Sequence, residues 1–370
     1  MQEHKLHLLA LSLTKGLGPV SVRNMIAFCG SAKAVFSTPR SKLLRAPGIG
    51  SHAITLLKKE QSMQRAEEEW AFCEKAGINI LTYLDPEYPE LLKSIYDAPL
   101  ILFQKGELNL NAQESLAIVG TRNATDYGLE LAAEFASFYA RQGINVVSGL
   151  AFGIDVAAHK AVLQAGGKTT AVLAHGLHTI YPSLHRRKAE EITEAGALLT
   201  EYLGGTEPEA PFFPSRNRIV SGISRAVLVV EAGQKGGALI TARSAFEQNR
   251  LVYAIPGRVG DAWSEGCNRL IRENIAKLVS HPSEILEDLD IQWQLHEDKS
   301  SQLELLLKRT DIVLSPNEQK LLALLEKEDV LLDKLSLLSG IPIASLNPLL
   351  LNMEFKDLVK QLPGKKYRRK

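Results

Sequence analysis

The pattern of apolar residues first predicts helices. Over residues 1–75 apolar positions recur at helical spacing, and two glycine turns interrupt them at 16–19 (GLGP) and 47–50 (PGIG). A helix-forming stretch follows each G-x-G turn, at 20–28 and at 51–58. This order is typical of a helix-hairpin-helix, whose amides at a helix N-terminus can hold a phosphate. A simple tight turn between packed helices remains the alternative.

From residue 115 the pattern changes to continuous apolar runs that alternate with helical segments. The six runs are 116–119, 145–147, 170–173, 198–200, 226–230 and 252–255. The helical segments between them start near Gly128, Ile154, Ser183, Pro214 and Ile240. Apolar strands joined by helices predict a parallel sheet covered on both faces, which is a doubly wound α/β domain. Ligands of such sheets bind at the carboxyl ends of the strands.

The last part of the chain predicts a winged helix. Residues 288–312 are acidic and then mixed, without a strand pattern, as in a linker or connecting helix. Ser315 is a good helix start because a proline follows it and an acid occupies the third helical position. Two helical stretches around Gly340 and a hairpin over 360–367 complete the pattern. We therefore predict four segments: a helical domain at 1–75, the α/β domain at 76–287, a linker at 288–312 and a winged helix at 313–370.

Composition narrows the class of protein. The 370 residues are 45% hydrophobic and 23% charged, which is the ordinary globular range. A net charge of +1 disfavours a uniformly basic nucleic-acid binder but leaves room for a local basic patch. The three cysteines lie far apart, so a disulfide framework or zinc site is not expected. The chain has neither a signal-peptide pattern at its start nor an apolar run of about 18 residues, so we expect a soluble, cytoplasmic protein without a membrane span.

The first apolar strand leads into VGTRNATDYG at 119–128. A dinucleotide-binding fold carries G-x-G-x-x-G here, so that the backbone can approach a pyrophosphate. Arg122 replaces the second glycine, which disfavours a bound dinucleotide. We predict instead that Arg122 and the amides of the helix that follows converge on a phosphate of a polymer.

The second strand ends in SGLAFGID at 148–155. Gly149 permits close approach of the backbone, and the Ser148 hydroxyl can donate to a phosphate oxygen. Asp155 and His159 are spaced i, i+4 and resemble an acid–base dyad. The favoured interpretation is structural, with the carboxylate bonded to backbone, because no nucleophile accompanies the pair.

The segment FFPSRNRI at 212–219 is the most informative. Aromatic rings stack on bases exposed in single strands, and arginines bind phosphates or base edges. Phe213, Arg216, Asn217 and Arg218 are therefore candidate nucleic-acid contacts, and we expect one of the two phenylalanines to fill core instead.

A glycine pair opens the next helix in GGALITA at 236–242. Gly236, Gly237 and the Thr241 hydroxyl form a plausible phosphate cradle. The G-K-[ST] order of a P-loop is missing, so nucleotide hydrolysis has no support. His175 and His178 belong to no carboxylate or cysteine cluster, and we expect neither a metal nor another cofactor.

These segments together resemble the DNA-processing protein A family (DprA, also called Smf). The matching runs keep the order of the family: DPEYP at 85–89, LFQKG at 102–106, VGTRNATDYG at 119–128, SGLAFGID at 148–155, FPSRNR at 213–218, GGALITA at 236–242 and AIPG at 254–257. The chain departs from the family's usual residues at His178, His185 and Cys267, and at Asn274-Ile275.

The resemblance implies an extended Rossmann-like domain between a SAM-like helical domain and a winged helix. It also implies a non-enzymatic homodimer that binds single-stranded DNA without sequence preference. Such a protein protects incoming DNA and helps load a RecA-type recombinase in natural transformation. The pocket implied by the family comprises Arg122, Ser148, Gly149, Arg216, Asn217, Arg218 and Thr241.

Two other classes of function remain in competition. One is a nucleotide-processing enzyme on a similar sheet, which Arg122 at the cofactor glycine opposes. The other is a transcription factor that uses the C-terminal winged helix, with the α/β domain as a small-molecule sensor. The specificity of the central motifs favours the DNA-binding mediator over both.

Overall fold

The computed structural model describes residues 2–14, 16–46, 49–55, 57, 59–294, 315–325, 330–355, 358–362 and 364–369. The chain divides into two compact units, Met1–Gln294 and Leu295–Lys370. Each unit has its own apolar core.

Six helices confirm the helical character predicted for the first 75 residues: α1 (Gln2–Ser12), α2 (Pro19–Cys29), α3 (Ala32–Ser37), α4 (Arg40–Leu43), α5 (Ser51–Thr55) and α6 (Lys59–Ala76). The first glycine turn starts α2, with Gly18 as N-cap and Pro19 in the first turn. Part of the second turn, Pro47 and Gly48, and Lys58 after it lie outside the described residues.

The centre of the first unit is a nine-stranded sheet in the order β1-β2-β6-β5-β4-β3-β7-β8-β9. Its strands are β1 (Asn79–Thr82), β2 (Ile101–Lys105), β3 (Ser115–Val119), β4 (Asn145–Ser148), β5 (Thr169–Val172), β6 (Ala197–Thr200), β7 (Ala226–Val229), β8 (Leu251–Ala254) and β9 (Lys277–Leu278). Neighbours from β6 to β9 pair in parallel, which confirms the doubly wound fold. The helices of this region are α7 (Glu90–Lys93), α8 (Asp126–Arg141), α9 (Ile154–Gln164), α10 (Arg186–Ala195), α11 (Phe212–Gly222), α12 (Gly237–Glu247), α13 (Glu265–Arg272) and α14 (Pro282–Asp288).

Helices cover both faces of the sheet because its strands are apolar on both sides. Leu116 and Ile118 of β3 point to one face, in a core shared with α8, α9 and α14. Ala117 and Val119 point to the other face, in a core shared with α11 and α12. Burial on both faces explains the continuous apolar runs of the parallel strands.

The sheet extends further than the sequence pattern predicted. Strands β1 and β2 add an antiparallel edge, with β2 antiparallel to β6. The N-terminal helices share one core with these two strands, through Ile80, Ile101 and Phe103. The segment boundary predicted at residue 75 is therefore not a break in the packing.

The strand order reverses at β3. From β3 to β6 the chain adds strands in one direction, and after α11 it returns to place β7 on the other side of β3. Crossover connections that leave in opposite directions open a crevice at the carboxyl ends of the strands, where doubly wound folds bind ligands.

The second unit has the predicted winged-helix order: α15 (Pro316–Leu324), β10 (Val330–Leu331), α16 (Leu332–Ser339), α17 (Ile343–Phe355), β11 (Val359–Leu362) and β12 (Lys366–Arg369). Ser315 and Glu318 form the expected capping box, and Gly340 ends α16 in the left-handed conformation. The strands form one antiparallel sheet. Residues 295–312 of the predicted linker lie outside the described residues.

None of the described helices is by itself long and apolar enough to span a membrane. Judged only by length and composition, Leu332–Ser339 and Ile343–Glu354 would pass together as a pair bent by 107°. Their residues Leu335, Leu346 and Leu350 are buried in the core of the second unit.

Candidate nucleic-acid interface

A cleft of about 670 Å³ lies at the point where the strand order reverses. Residues that follow β3, β4 and β7 line it, together with the first turns of α11 and α12. Eight residues predicted from the sequence border this cleft: Arg122, Gly149, Phe213, Arg216, Asn217, Gly236, Gly237 and Thr241. The fold therefore brings together motifs that are far apart along the chain.

Arg122 and two aromatic rings form one wall of the cleft. The guanidinium carbon of Arg122 lies 5.3 Å from the centroid of the Phe213 ring. The Tyr181 ring meets Phe213 edge-on at 5.9 Å. Phe212 instead packs on Tyr202 with ring centroids 4.6 Å apart, so only Phe213 faces this cleft, as predicted. A cation over an aromatic face is held in place while its donors stay exposed.

Arg216 is a buried part of the cleft floor, with only 4% of its surface exposed. Its Nη1 donates to the carbonyl of Gly149 at 2.9 Å and to that of Val172. Burial lowers the pKa of Arg216 to about 10, so it stays charged at neutral pH. Because its guanidinium joins the ends of β4 and β5, Arg216 positions the cleft floor.

Asp155 is the buried counter-charge of Arg216. Its carboxylate accepts the amides of Gly149 at 3.1 Å and Ala151 at 3.4 Å. Burial raises the pKa of Asp155, against the opposing effects of Arg216 and the amides. His159 bonds Thr169 at 2.6 Å, and its burial lowers its pKa to about 3. The structural interpretation of Asp155, with its carboxylate bonded to backbone, is confirmed.

The N-terminus of α12 is the open side of the cleft. Gly236 and Gly237 are exposed there, and no side chain caps the helix. Thr241 is buried and its hydroxyl donates to the carbonyl of Gly237 at 3.1 Å. Asn217 donates to the same carbonyl at 3.3 Å. Thr241 and Asn217 therefore shape the first turn, while the glycine amides face the cleft opening.

The N-terminus of α8, whose amides were predicted to meet Arg122 at a phosphate, has a second partner in the structure. A carboxylate of the chain itself occupies this helix end: Glu231 Oε2 accepts the amide of Thr125 at 3.0 Å, and Oε1 accepts its hydroxyl at 2.5 Å. Thr125 in turn caps Gly128 at 3.1 Å. Sequence reasoning missed this contact because Glu231 lies far from α8 in sequence and reaches it through the pairing of β3 with β7.

Two predicted residues lie outside the cleft lining. The buried hydroxyl of Ser148 donates to the carbonyl of Ile118 at 2.6 Å. Arg218 makes ion pairs with Glu201 at 2.6 Å and Asp97 at 3.1 Å. The side chain of Arg218 thus fixes α11 to its surroundings.

Further cleft residues were not among the predicted contacts, and they include Asn123, Tyr181, Lys235 and Trp263. Lys235 precedes the glycine pair of α12 and is exposed. Asn123 lies in the loop between β3 and α8, and Lys235 lies in the loop between β7 and α12; this was a usable signal, since such loops line the cleft. Trp263 follows β8 by several residues and carries no comparable signal.

The electrostatics of the cleft favour an anion. Arg122 and Lys235 are exposed cations, and neither forms an ion pair within the part of the chain that the structure describes. Asp155 is the one carboxylate among the described lining residues, and it lies beside Arg216. In the described ranges no three His, Cys, Asp or Glu side chains are grouped as metal ligands.

The residues that depart from the family's usual pattern have structural contacts. His185 is buried, bonds the Leu150 carbonyl at 2.9 Å and packs on Phe152. His178 bonds Glu207 at 3.1 Å. Cys267 is buried against β7, and burial raises its pKa to about 12. None of the three lines the cleft.

Comparison with known proteins gives consistent matches. The sequence model of the family described as DNA recombination-mediator protein A matches residues 79–290, and that of the DprA winged helix domain matches 308–365. Protein Smf of Synechocystis sp. is 32% identical, with 98% of each chain covered. The crystal structure of DNA processing protein A from Streptococcus pneumoniae has a TM-score of 0.67 at 32% identity, covering 78% of this chain and 99% of that one. DNA processing protein A from Helicobacter pylori, a structure described for its single-stranded DNA binding mode, has a TM-score of 0.53 at 27% identity, covering 58% and 97%.

Proposed function

Because the chain belongs to the DNA recombination-mediator protein A family, we propose that it binds single-stranded DNA in the cleft between the ends of β3 and β7. The relative from Helicobacter pylori has a single-stranded DNA binding mode, which supports this choice of ligand.

The observation that carries this proposal is Arg122 held over the Phe213 ring. An exposed guanidinium beside a half-buried aromatic ring offers a phosphate contact next to a ring on which a base can stack. Lys235 and the open amides at Gly236 and Gly237 extend the cationic side. Phosphate contacts and stacking do not distinguish bases, so the expected binding is independent of sequence.

We propose no catalytic step for this cleft. Asp155 is bonded to backbone amides and His159 to Thr169, so neither is arranged as the acid or base of a reaction. The competing interpretation as a nucleotide-processing enzyme therefore gains no support from this pair.

The family description supports a wider role in recombination. In this proposal the protein acts in the cytoplasm as a homodimer, protects incoming single strands and helps load a RecA-type recombinase during natural transformation. The dimer and the recombinase contact rest on the resemblance alone.

No observation favours a transcription factor. In a winged helix that reads duplex DNA, side chains of the recognition helix reach base edges, most often through Arg or Lys. The corresponding helix α17 has the sequence IASLNPLLLNMEF, without Lys or Arg.

The test is equilibrium binding of single- and double-stranded oligonucleotides of equal length, without nucleotide or metal. We expect preference for the single strand, equal affinity for different sequences of similar stacking strength, and no turnover of ATP, NAD or nucleoside monophosphates. Preference for the duplex, or turnover that is lost in Asp155→Asn, would contradict the proposed function.

A further inference from the structure

Glu231 occupies the place where a doubly wound fold usually holds a phosphate. In this class of fold the helix after the first βα turn directs its amides at a pyrophosphate. Here that helix is α8, and its N-terminal residue Thr125 donates both its amide and its hydroxyl to Glu231. The carboxylate is an anion at the positive end of the helix dipole.

The packing shows that this position is filled. Glu231 is only 7% exposed. A Cβ added at Gly128 would overlap Cδ and Oε2 of Glu231, so the glycine admits the carboxylate at van der Waals distance. The amide of Thr121 also donates to the Glu231 backbone carbonyl at 2.8 Å, which fixes the residue to the end of β3.

The start of α8 does not contribute to the lining of the cleft. The lining includes Arg122 and Asn123 but not Thr125, Asp126 or Gly128. Helix α12, on the other side of the strand reversal, has no side-chain cap, and Gly236 and Gly237 at its start are exposed in the cleft. A phosphate that enters the cleft thus reaches the exposed glycines of α12, whereas the Thr125 amide of α8 is already bonded to Glu231.

We propose that Glu231 is an internal anion that closes the α8 phosphate position against external phosphate, including the pyrophosphate of a dinucleotide. Where the proposed function holds, the phosphates of a bound strand lie on the α12 side, near Lys235 and the glycine pair. Glu231 determines which anions bind here, because its side chain fills the space that an external phosphate would need.

The test measures thermal melting of the full chain against inorganic phosphate at constant ionic strength. All variants carry Arg122→Ala, so that this cleft cation does not contribute. Glu231→Ala vacates the position, and we expect its Tm to rise with phosphate by about 2–4 °C for each tenfold increase above the dissociation constant. Glu231→Gln keeps the volume filled, and its Tm should follow that of the parent.

Glu284→Ala is the matched control. Glu284 also accepts backbone amides at a helix start, from His281 at 2.7 Å and Ser280 at 3.2 Å, but it is only half-buried and lies outside the cleft. We expect no phosphate-dependent rise there beyond the parent's.

Three results would overturn the assignment. The first is a folded Glu231→Ala protein whose Tm follows the parent at all phosphate concentrations. The second is a Glu231→Gln protein that responds as strongly as Glu231→Ala, because charge and not occupancy would then exclude phosphate. The third is a Glu231→Ala protein that is unfolded in chloride and is not refolded by phosphate. None of these depends on DNA binding, so the proposed function stands or fails separately.

Discussion

Two arginines of the cleft have opposite surroundings, and this separates their roles. Arg122 is exposed and rests on an aromatic ring, which leaves its donors available to a ligand. Arg216 is buried between strand ends, where backbone carbonyls and Asp155 engage it. The sequence motif FPSRNR placed Arg216 and Arg218 among the DNA contacts, but both side chains are engaged within the protein.

Arg216→Ala should therefore act first on stability. It removes the bonds to the Gly149 and Val172 carbonyls and the positive charge beside the buried Asp155, and losing such a buried charged partner costs about 3–5 kcal/mol. Arg122→Ala should change the free energy of unfolding by less than about 0.5 kcal/mol, because its side chain is exposed. Urea unfolding of both variants measures the difference. An Arg216→Ala protein of wild-type stability that has lost DNA binding would show that Arg216 is a ligand contact instead.

His159 should contribute to acid sensitivity. Its folded pKa is about 3, whereas histidine in an unfolded chain titrates near 6.5. Between these values the unfolded state binds a proton that the folded state does not, so stability is present above pH ~6.5 and is lost as pH falls toward 3. In His159→Asn, which keeps a donor toward Thr169, the free energy of unfolding should fall less steeply, by about 1.4 kcal/mol per pH unit. Urea unfolding from pH 7 to pH 4 tests this, and identical slopes would contradict it.

At the scale of elements, the sequence was most informative where one physical cause dominates. Six of the seven parallel strands were predicted because burial on both faces requires continuous apolar residues. The starts of α9, α12 and α15 were near their predicted residues because glycine, proline and capping residues act locally. Strands β1, β2 and β9 were missed: β1 has only four residues and half-polar character, and β9 has only two residues.

The pattern of residues along the chain could not predict contacts between elements that are distant in sequence. The bond of Glu231 to Thr125 depends on the pairing of β3 with β7, and the burial of Arg216 depends on the ends of β4 and β5 meeting α11. Local residue types indicated anion-binding amides at both α8 and α12. Only the fold distinguishes the closed helix end from the open one.

Two glycines at the cleft should respond differently to alanine. A Cβ at Gly149 would lie 2.5 Å from Nη2 of the buried Arg216, so Gly149→Ala should destabilise by about 1–3 kcal/mol. A Cβ at Gly237 would meet nothing closer than Asn217 Nδ2 at 3.8 Å, so Gly237→Ala should keep its stability. Gly237 lines the cleft, so the added methyl should keep a phosphate away from the amide of this residue. Losing that one contact should weaken DNA binding by about 2–10-fold. Thermal melts with binding titrations measure both, and an unchanged affinity in Gly237→Ala would place the strand away from α12.

At the scale of the whole molecule, the cleft belongs entirely to the first unit. Its lining residues lie between Val119 and Trp263, and the second unit has a separate core. A chain that ends at Gln294 should therefore fold and keep its preference for single strands. Circular dichroism and a binding titration test this. A folded truncated protein that no longer binds single strands would show that the cleft is not sufficient.

The dependence of single-strand affinity on salt for Arg122 variants tests the assigned cleft most directly. Because Arg122 would contact phosphate, Arg122→Ala should weaken binding to all sequences equally and reduce the slope of log affinity against log salt by about 0.7. Arg122→Lys should recover part of the affinity, since lysine cannot form a bidentate fork. Arg187→Ala is the matched control, because Arg187 is 91% exposed on α10 and lies outside the cleft lining. Unchanged affinity and slope in a folded Arg122→Ala protein, or an equal loss in Arg187→Ala, would contradict binding in this cleft.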